Sequence, residues 1–213
     1  MKNYKFELPK YTFPEEIINS ITHGLGALLG IFGVISLIKK NYLNSKNLTC
    51  FLIYGFSLIL LYLISSIYHA LKPGIFKSIF RKFDHCSIFL LIAGTYTPIS
   101  IIILKGKLIM ILLGLIWLIS IVGIILNAIN VNKFSKFSLI CYISMGWILI
   151  FQVKPLVQSL SQVQLTCLLA GGLFYTIGAG IYILGKRIKF MHSIWHVFVL
   201  FGSALHFIMF QIN

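Results

Sequence analysis

The segment DHCSIFLLIAGTYTPISIIIL, Asp84–Leu104, decides the fold. Beyond its first two residues it holds no Asp, Glu, Lys, Arg or His, and it is as long as the ~20 apolar residues that carry a helix across a bilayer. Working outward in both directions, six more runs of this kind appear: Ile17–Ile38, Leu48–Leu71, Leu108–Ile129, Phe137–Val153, Val163–Leu184 and Phe190–Ile212. Seven spans of ~20 residues use roughly 140 positions and leave only short loops. The expectation is an all-α membrane protein, a seven-transmembrane-helix bundle forming one domain over residues 1–213, with a short N-terminal segment of about residues 1–16.

Composition agrees. Of 213 residues, 59% are apolar and 10% charged, against roughly 45–50% and ~25% in soluble domains; mean hydropathy is +0.96. These values exclude a soluble globular enzyme, a disordered chain and a fibrous repeat. Strands alternating between a lipid face and a polar lumen are absent, which disfavours a β-barrel. Residues 1–16 mix Lys2, Lys5 and Lys10 with Glu7, Glu15 and Glu16 and do not read as a signal peptide. Cys50, Cys86, Cys141 and Cys167 form no C-x-x-C pair and read as small buried apolar side chains.

The net charge of +14 comes from 18 Lys and Arg against 4 acids. All the cations fall outside the apolar runs, so they are expected beside anionic headgroups of membrane lipids, and no nucleic-acid partner is implied. On one side lie Lys2, Lys5, Lys10, Lys72, Lys77, Arg81, Lys82, Lys133, Lys136, Lys186, Arg187 and Lys189; on the other lie Lys39, Lys40, Lys46, Lys105, Lys107 and Lys154. That 12-to-6 bias puts the N-terminus in the cytoplasm, the C-terminus outside and the chain in the cell's inner or plasma membrane as a multi-pass protein. Gly26, Gly30 and Gly33, and Gly171, Gly172, Gly178 and Gly180, read as sites of close helix packing. Pro98 is expected to kink its helix, with Thr95 and Thr97 absorbing the loosened hydrogen bonds.

Few ionisable groups remain within the runs: His23, His69, Asp84, His85, His192, His196 and His206. Asp84 is the only acid beyond residue 16, and a carboxylate inside a bilayer costs ~2.5–3.5 kcal/mol even on the insertion scale. Ser65 and His69 are four apart and share one helix face, as do His192 and His196. The orientation puts all of these and Asp84 at the cytoplasmic ends of three helices. Three neutral imidazoles suit zinc, and three protein ligands leave an open position, as catalytic sites do. Asp84 would then handle a proton, and Ser65 would bond water or a substrate oxygen. His206 lies ten residues beyond His196, ~15 Å along the helix, and cannot share that metal. It reads as a packing residue. His23 sits at the right depth to support the ligands, and His85 points ~100° away from Asp84.

The stretches NSITHGLGALLG (19–30), LYLISSIYHAL (61–71), DHCSIFLLIAGTYTP (84–98), YISMGW (142–147), GGLFYTIGAGIY (171–182) and HSIWHVFVLFGSALHF (192–207) together resemble the hemolysin III family. That family is the bacterial branch of the progestin and adipoQ receptor (PAQR) superfamily. The resemblance implies a seven-helix bundle with a cytoplasmic N-terminus and a zinc ion near the cytoplasmic side. The superfamily's S-x-x-x-H falls on Ser65 and His69, its third-helix aspartate on Asp84, and its H-x-x-x-H on His192 and His196. A further likeness to alkaline ceramidases implies metal-dependent hydrolysis of lipid-like amides or esters. Two alternatives stay open: a receptor or lipid-homeostasis sensor with a structural metal, and a cytolysin. A retinal protein is excluded, because the last run has no lysine, and a di-iron oxygenase would need several carboxylates. The substrate and the oligomeric state are not legible.

Overall fold

Thr12 opens the first helix. Its N–H and hydroxyl donate to Glu15 Oε2 at 2.8 and 2.6 Å, and Pro14 stands in the first turn, where an N–H would have no helical partner. Helix α1 runs Phe13–Asn41, α2 Ser45–Ala70, α3 Ile75–Pro98, α4 Lys107–Trp147, α5 Val153–Ser159, α6 Gln162–Leu184 and α7 Met191–Ile212. Asn44 caps α2 through Asn47 N–H, and Ser161 with Gln164 caps α6. This computed structural model of the chain describes residues 8–104, 106–185 and 187–212. Lys2, Lys5, Glu7, Lys105 and Lys186, counted above by charge, lie outside the described residues.

Among the described residues there are no strands, and six helices are long and apolar enough to cross a membrane. Helix α1 packs between α2 and α7, α2 on α3, α3 on α4, and α6 on α7. The interior holds Leu58, Tyr62, Phe89, Tyr96, Ile116, Val199 and Met209. Leu29, Phe32, Phe56, Ile129, Phe151 and Phe201 face outward and are well exposed. An apolar belt of that extent belongs in lipid. Close packing at the glycines follows where helices converge: a Cβ on Gly26 would stand 2.7 Å from Leu200 Cδ2 and 2.8 Å from Tyr62 Cδ1. Gly172 and Gly180, by contrast, have nothing within 4 Å of such an atom and are not packing contacts.

Two boundaries differ from the sequence reading. Helix α3 begins at Ile75, not at Asp84, so Lys77, Arg81 and Lys82 lie in its first turns rather than in a loop. A hydropathy count stops at charges, whereas the backbone ladder does not need apolar side chains. Lys77 is only 2% exposed, so it does not reach the headgroups. Helix α4 has 41 residues, about 62 Å at helical rise and twice the ~30 Å of hydrocarbon. It breaks at Asn130, with φ −156° and ψ 98°. There Asn130 Oδ1 accepts Lys133 N–H at 3.0 Å, which is the geometry of an N-cap. Lys82 Nζ donates to Ala128 O at 2.6 Å and Arg81 to Asn132 Oδ1 at 2.7 Å. Lys82 thus satisfies a carbonyl loosened by the break, and Arg81 ties α3 to the side chain of Asn132 just beyond it. The second half ends at Trp147 and gives way to a 3₁₀ turn, Ile148–Gln152.

Pro98 ends α3 in a widened π turn, Ile99–Ile103, in which Leu104 N–H reaches Ile99 O at 2.7 Å. Thr95 and Thr97 donate to Leu91 O and Ala93 O at 2.7 and 2.9 Å. The carbonyl that Pro98 deprives of a donor is that of Gly94, so the threonines do not serve it.

Candidate metal centre

Three segments bring their polar faces together at one end of the bundle. His69 closes the last turn of α2, and His192 and His196 project from one face of the first turns of α7. The ring centroids are 5.3 Å apart for His69 and His192, 5.0 Å for His69 and His196, and 4.8 Å for His192 and His196. One nitrogen from each lies within 4.8 Å of the other two, and all three residues are buried.

The outer nitrogens are all held by α1 and the residues leading into it. His69 Nδ1 is 2.6 Å from Glu16 Oε2, and His196 Nδ1 is 3.2 Å from Asn19 O. Carboxylate and carbonyl oxygens only accept, so each Nδ1 carries the proton and each Nε2 a lone pair. His192 Nδ1 shares a hydrogen bond with the Tyr11 hydroxyl at 3.1 Å. Burial pushes that hydroxyl well above its ordinary value, so it stays neutral. His69 Nε2 has no hydrogen-bond partner, and His196 Nε2 stands 3.2 Å from His192 Nε2. Where His192 Nδ1 donates to the Tyr11 oxygen, both Nε2 atoms present lone pairs, which repel at that distance unless a cation joins them; where the Tyr11 hydroxyl donates instead, the two rings share an N–H···N hydrogen bond. Two ligands of a tetrahedral metal at ~2.0–2.1 Å would be about 3.3–3.4 Å apart. The donor set therefore fits a metal ion, and the three histidines could hold one.

Helix α7 enters the site at a fixed angle. Phe190 takes a left-handed backbone, φ 63°, and its N–H donates to Glu15 Oε1 at 2.7 Å. A bulky residue adopts that conformation only where its surroundings enforce it. Ser193 Oγ donates to Asn19 Oδ1 at 2.6 Å, one residue past His192.

The remaining sequence candidates separate clearly. Ser65 is buried one turn before His69, and the Asp84 carboxyl neighbours Ser65 and His69, with Arg81 one turn back on its own helix. His23 stacks on His196 with ring centroids 3.6 Å apart and planes at 15°, so it lies directly against one of the three clustered imidazoles. The His85 carbonyl accepts from Tyr142 OH at 2.8 Å. His206 stands apart, with Nε2 on Leu168 O at 3.3 Å. The sequence reading passed over Tyr11, Glu16, Asn19 and Lys77. Glu16, Asn19 and His23 sit at i, i+3 and i+7, one polar face on an otherwise apolar helix, and that spacing is a signal that could have found them. Lys77 gave no signal, because the start of its helix was placed nine residues late.

Beside this cluster runs a cavity of about 340 Å³, walled mostly by α3, the second half of α4, α6 and α7. His23, Asp84 and His85 line it near the histidines, and Ile99, Leu156 and His206 line it further along. From Asp84 to Ile99 along α3 is about 22 Å. The walls between are almost wholly apolar.

The sequence model of the family described as "Haemolysin-III related" matches residues 11–207. The chain is 45% identical over 195 residues to the "Hemolysin-3" of Bacillus cereus, covering 91% of this chain and 89% of that protein. It is 43% identical over 199 residues to the "Hemolysin-3 homolog" of Bacillus subtilis (strain 168), covering 92% and 93%. A more distant relative is the human "Monocyte to macrophage differentiation factor", a PAQR-family protein, 28% identical over 205 residues, covering 93% and 84%. With six long apolar helices and a family match over nearly its whole length, the chain is a multi-pass membrane protein that belongs to the haemolysin-III-related family.

Proposed function

We propose that the protein is an intramembrane zinc-dependent hydrolase of lipid-like amides or esters. The observation that carries this reading is the convergence of His69, His192 and His196, with the Asp84 carboxyl between them and an apolar cavity. The three imidazoles hold the ion, and nitrogen ligands in a tetrahedral arrangement favour zinc. Zinc in such a site supplies Lewis acidity toward a carbonyl and toward water. Asp84 takes the proton of the attacking water and returns it to the leaving amine or alkoxide, as the new C–O bond forms and the C–N or C–O bond breaks. Ser65 donates its hydroxyl hydrogen to a substrate oxygen. The cavity binds the acyl part and keeps bulk water out. In this reading α4 supplies two spans, one on each side of Asn130. There are then seven spans, with the N-terminus cytoplasmic and the C-terminus outside.

The test is elemental analysis of detergent-purified protein beside a His69/His192/His196 triple-alanine variant, followed by a panel of lipid amides and esters. About one zinc per chain, lost in the variant, together with turnover supports the reading. A folded wild type without metal sinks it. One observation favours a second reading: none of the three histidines is among the residues lining the cavity. A structural metal in a receptor or lipid-homeostasis sensor would sit that way, and stoichiometric zinc without turnover assigns the protein there. The names of the Bacillus relatives suggest a cytolysin, which lysis of red cells by low concentrations of purified protein would support.

A further inference from the structure

We infer that Glu16 is a positioning residue for the metal: its carboxylate, braced by Lys77, holds the His69 ring with Nε2 turned toward His192 and His196. This rests on the three histidines being metal ligands. His192 and His196 share one helix and keep their spacing by the backbone alone. His69 arrives from a different helix, so the site closes only if its ring is held in place. Glu16 Oε2 stands 2.6 Å from His69 Nδ1, and Oε1 stands 2.8 Å from Lys77 Nζ. Lys77 also donates to Leu71 O at 2.9 Å and reaches His69 O at 3.5 Å, the loose carbonyls at the end of α2. One carboxylate therefore joins α1, α2 and α3 at the metal-facing turn.

The nearest other polar group to His69 Nδ1 is Asn19 Nδ2 at 3.5 Å, itself a donor, which cannot accept the Nδ1 proton. Glu16 thus selects the tautomer that leaves Nε2 free. An anionic acceptor also raises the basicity of the imidazole it holds, and removing such a partner typically weakens metal binding by about 10–100-fold. The competing explanation is that Glu16 and Lys77 merely tie α1 to α3.

The experiment measures zinc affinity of the full-length chain in detergent by competition with a chromophoric chelator, alongside the melting temperature of the metal-free protein. Glu16→Gln keeps the volume and removes the charge. It is expected to retain one zinc per chain with about 10–100-fold weaker affinity, together with a lower metal-free melting temperature because buried Lys77 loses its counter-ion; the exchange variant separates the two effects. The double variant Glu16→Lys/Lys77→Glu keeps an ion pair but sets an ammonium against His69 Nδ1, and its affinity is expected to stay low. Wild-type affinity in Glu16→Gln, or recovery in the exchange variant, overturns the inference. Should Glu16→Gln not fold, Glu16→Asp takes its place: it keeps the charge one methylene short of the imidazole, and undiminished affinity there overturns the inference equally. A wild type that binds no zinc defeats the metal reading itself, an outcome distinct from all of these.

Discussion

His69, His196 and His206 are alike in the sequence, each an imidazole within an apolar run, and the structure uses them differently. His206 spends one nitrogen on Leu168 O and belongs to no cluster of three ligand-type side chains among the described residues. His69 and His196 each surrender Nδ1 to an oxygen of α1 and leave Nε2 for something else. Asp84 has a third kind of role, because it faces both the histidine cluster and the cavity. Asn in its place keeps the size and the hydrogen-bonding capacity but cannot take a proton. Asp84→Asn is therefore expected to bind zinc at wild-type stoichiometry while losing about 10²–10⁴ in kcat. Parallel elemental analysis and a lipid-amide turnover assay check this, and unchanged turnover would remove Asp84 from the mechanism.

At the scale of elements, α1 is the organiser of the site although it carries no ligand. Tyr11, Glu16 and Asn19 hold the three outer nitrogens, Glu15 fixes the entry of α7, and Gly26 lets α2 and α7 approach. Helix α4 covers the run Leu108–Ile129 and most of the run Phe137–Val153 as one element that breaks only at Asn130. Asn130 takes an extended conformation and caps Lys133 N–H, so the break is built in rather than a bend under load. Asn130→Ala removes the cap and is expected to cost about 1 kcal/mol of stability, read as a lower denaturation midpoint in detergent with zinc content intact. An unchanged midpoint would mean that the cations of α3 hold the break without it.

The whole molecule decides access. All seven helices contribute to the cavity wall, α3, the second half of α4, α6 and α7 most of it, and none of them could form it alone. Gly172 lines it with nothing within 4 Å of where a Cβ would stand. Gly172→Leu should therefore fill part of the cavity without disturbing the packing. The expected result is a KM raised about tenfold or more for long-chain substrates, on the scale of a few misplaced methylenes, with zinc content and short-chain turnover unchanged. A KM that ignores the substitution would place the acyl group elsewhere. Orientation is also a whole-molecule property. A C-terminal phosphatase fusion, active only outside the cytoplasm, is expected to be active on this chain and inactive on a version truncated within the 185–190 loop; the reverse pattern would invert the topology.

The membrane class, the family and the pairing of His69 with His192 and His196 were legible in the sequence. Each depends on local quantities: run length, helical spacing, and the rarity of charge in an apolar segment. The start of α3 and the roles of Glu16 and Lys77 were not legible. Charge ends a hydropathy run without ending a helix, which is also why α4 continues past Asn130 through the positions read as a loop before Phe137. Whether a half-buried acid pairs with an imidazole 53 positions away depends on which helices become neighbours. The residue types and their spacing were enough to nominate the ligands. Only the packing of α1 against α2 and α7 determined which groups hold each ring, because that hold acts across helices and leaves no periodic trace along any one of them.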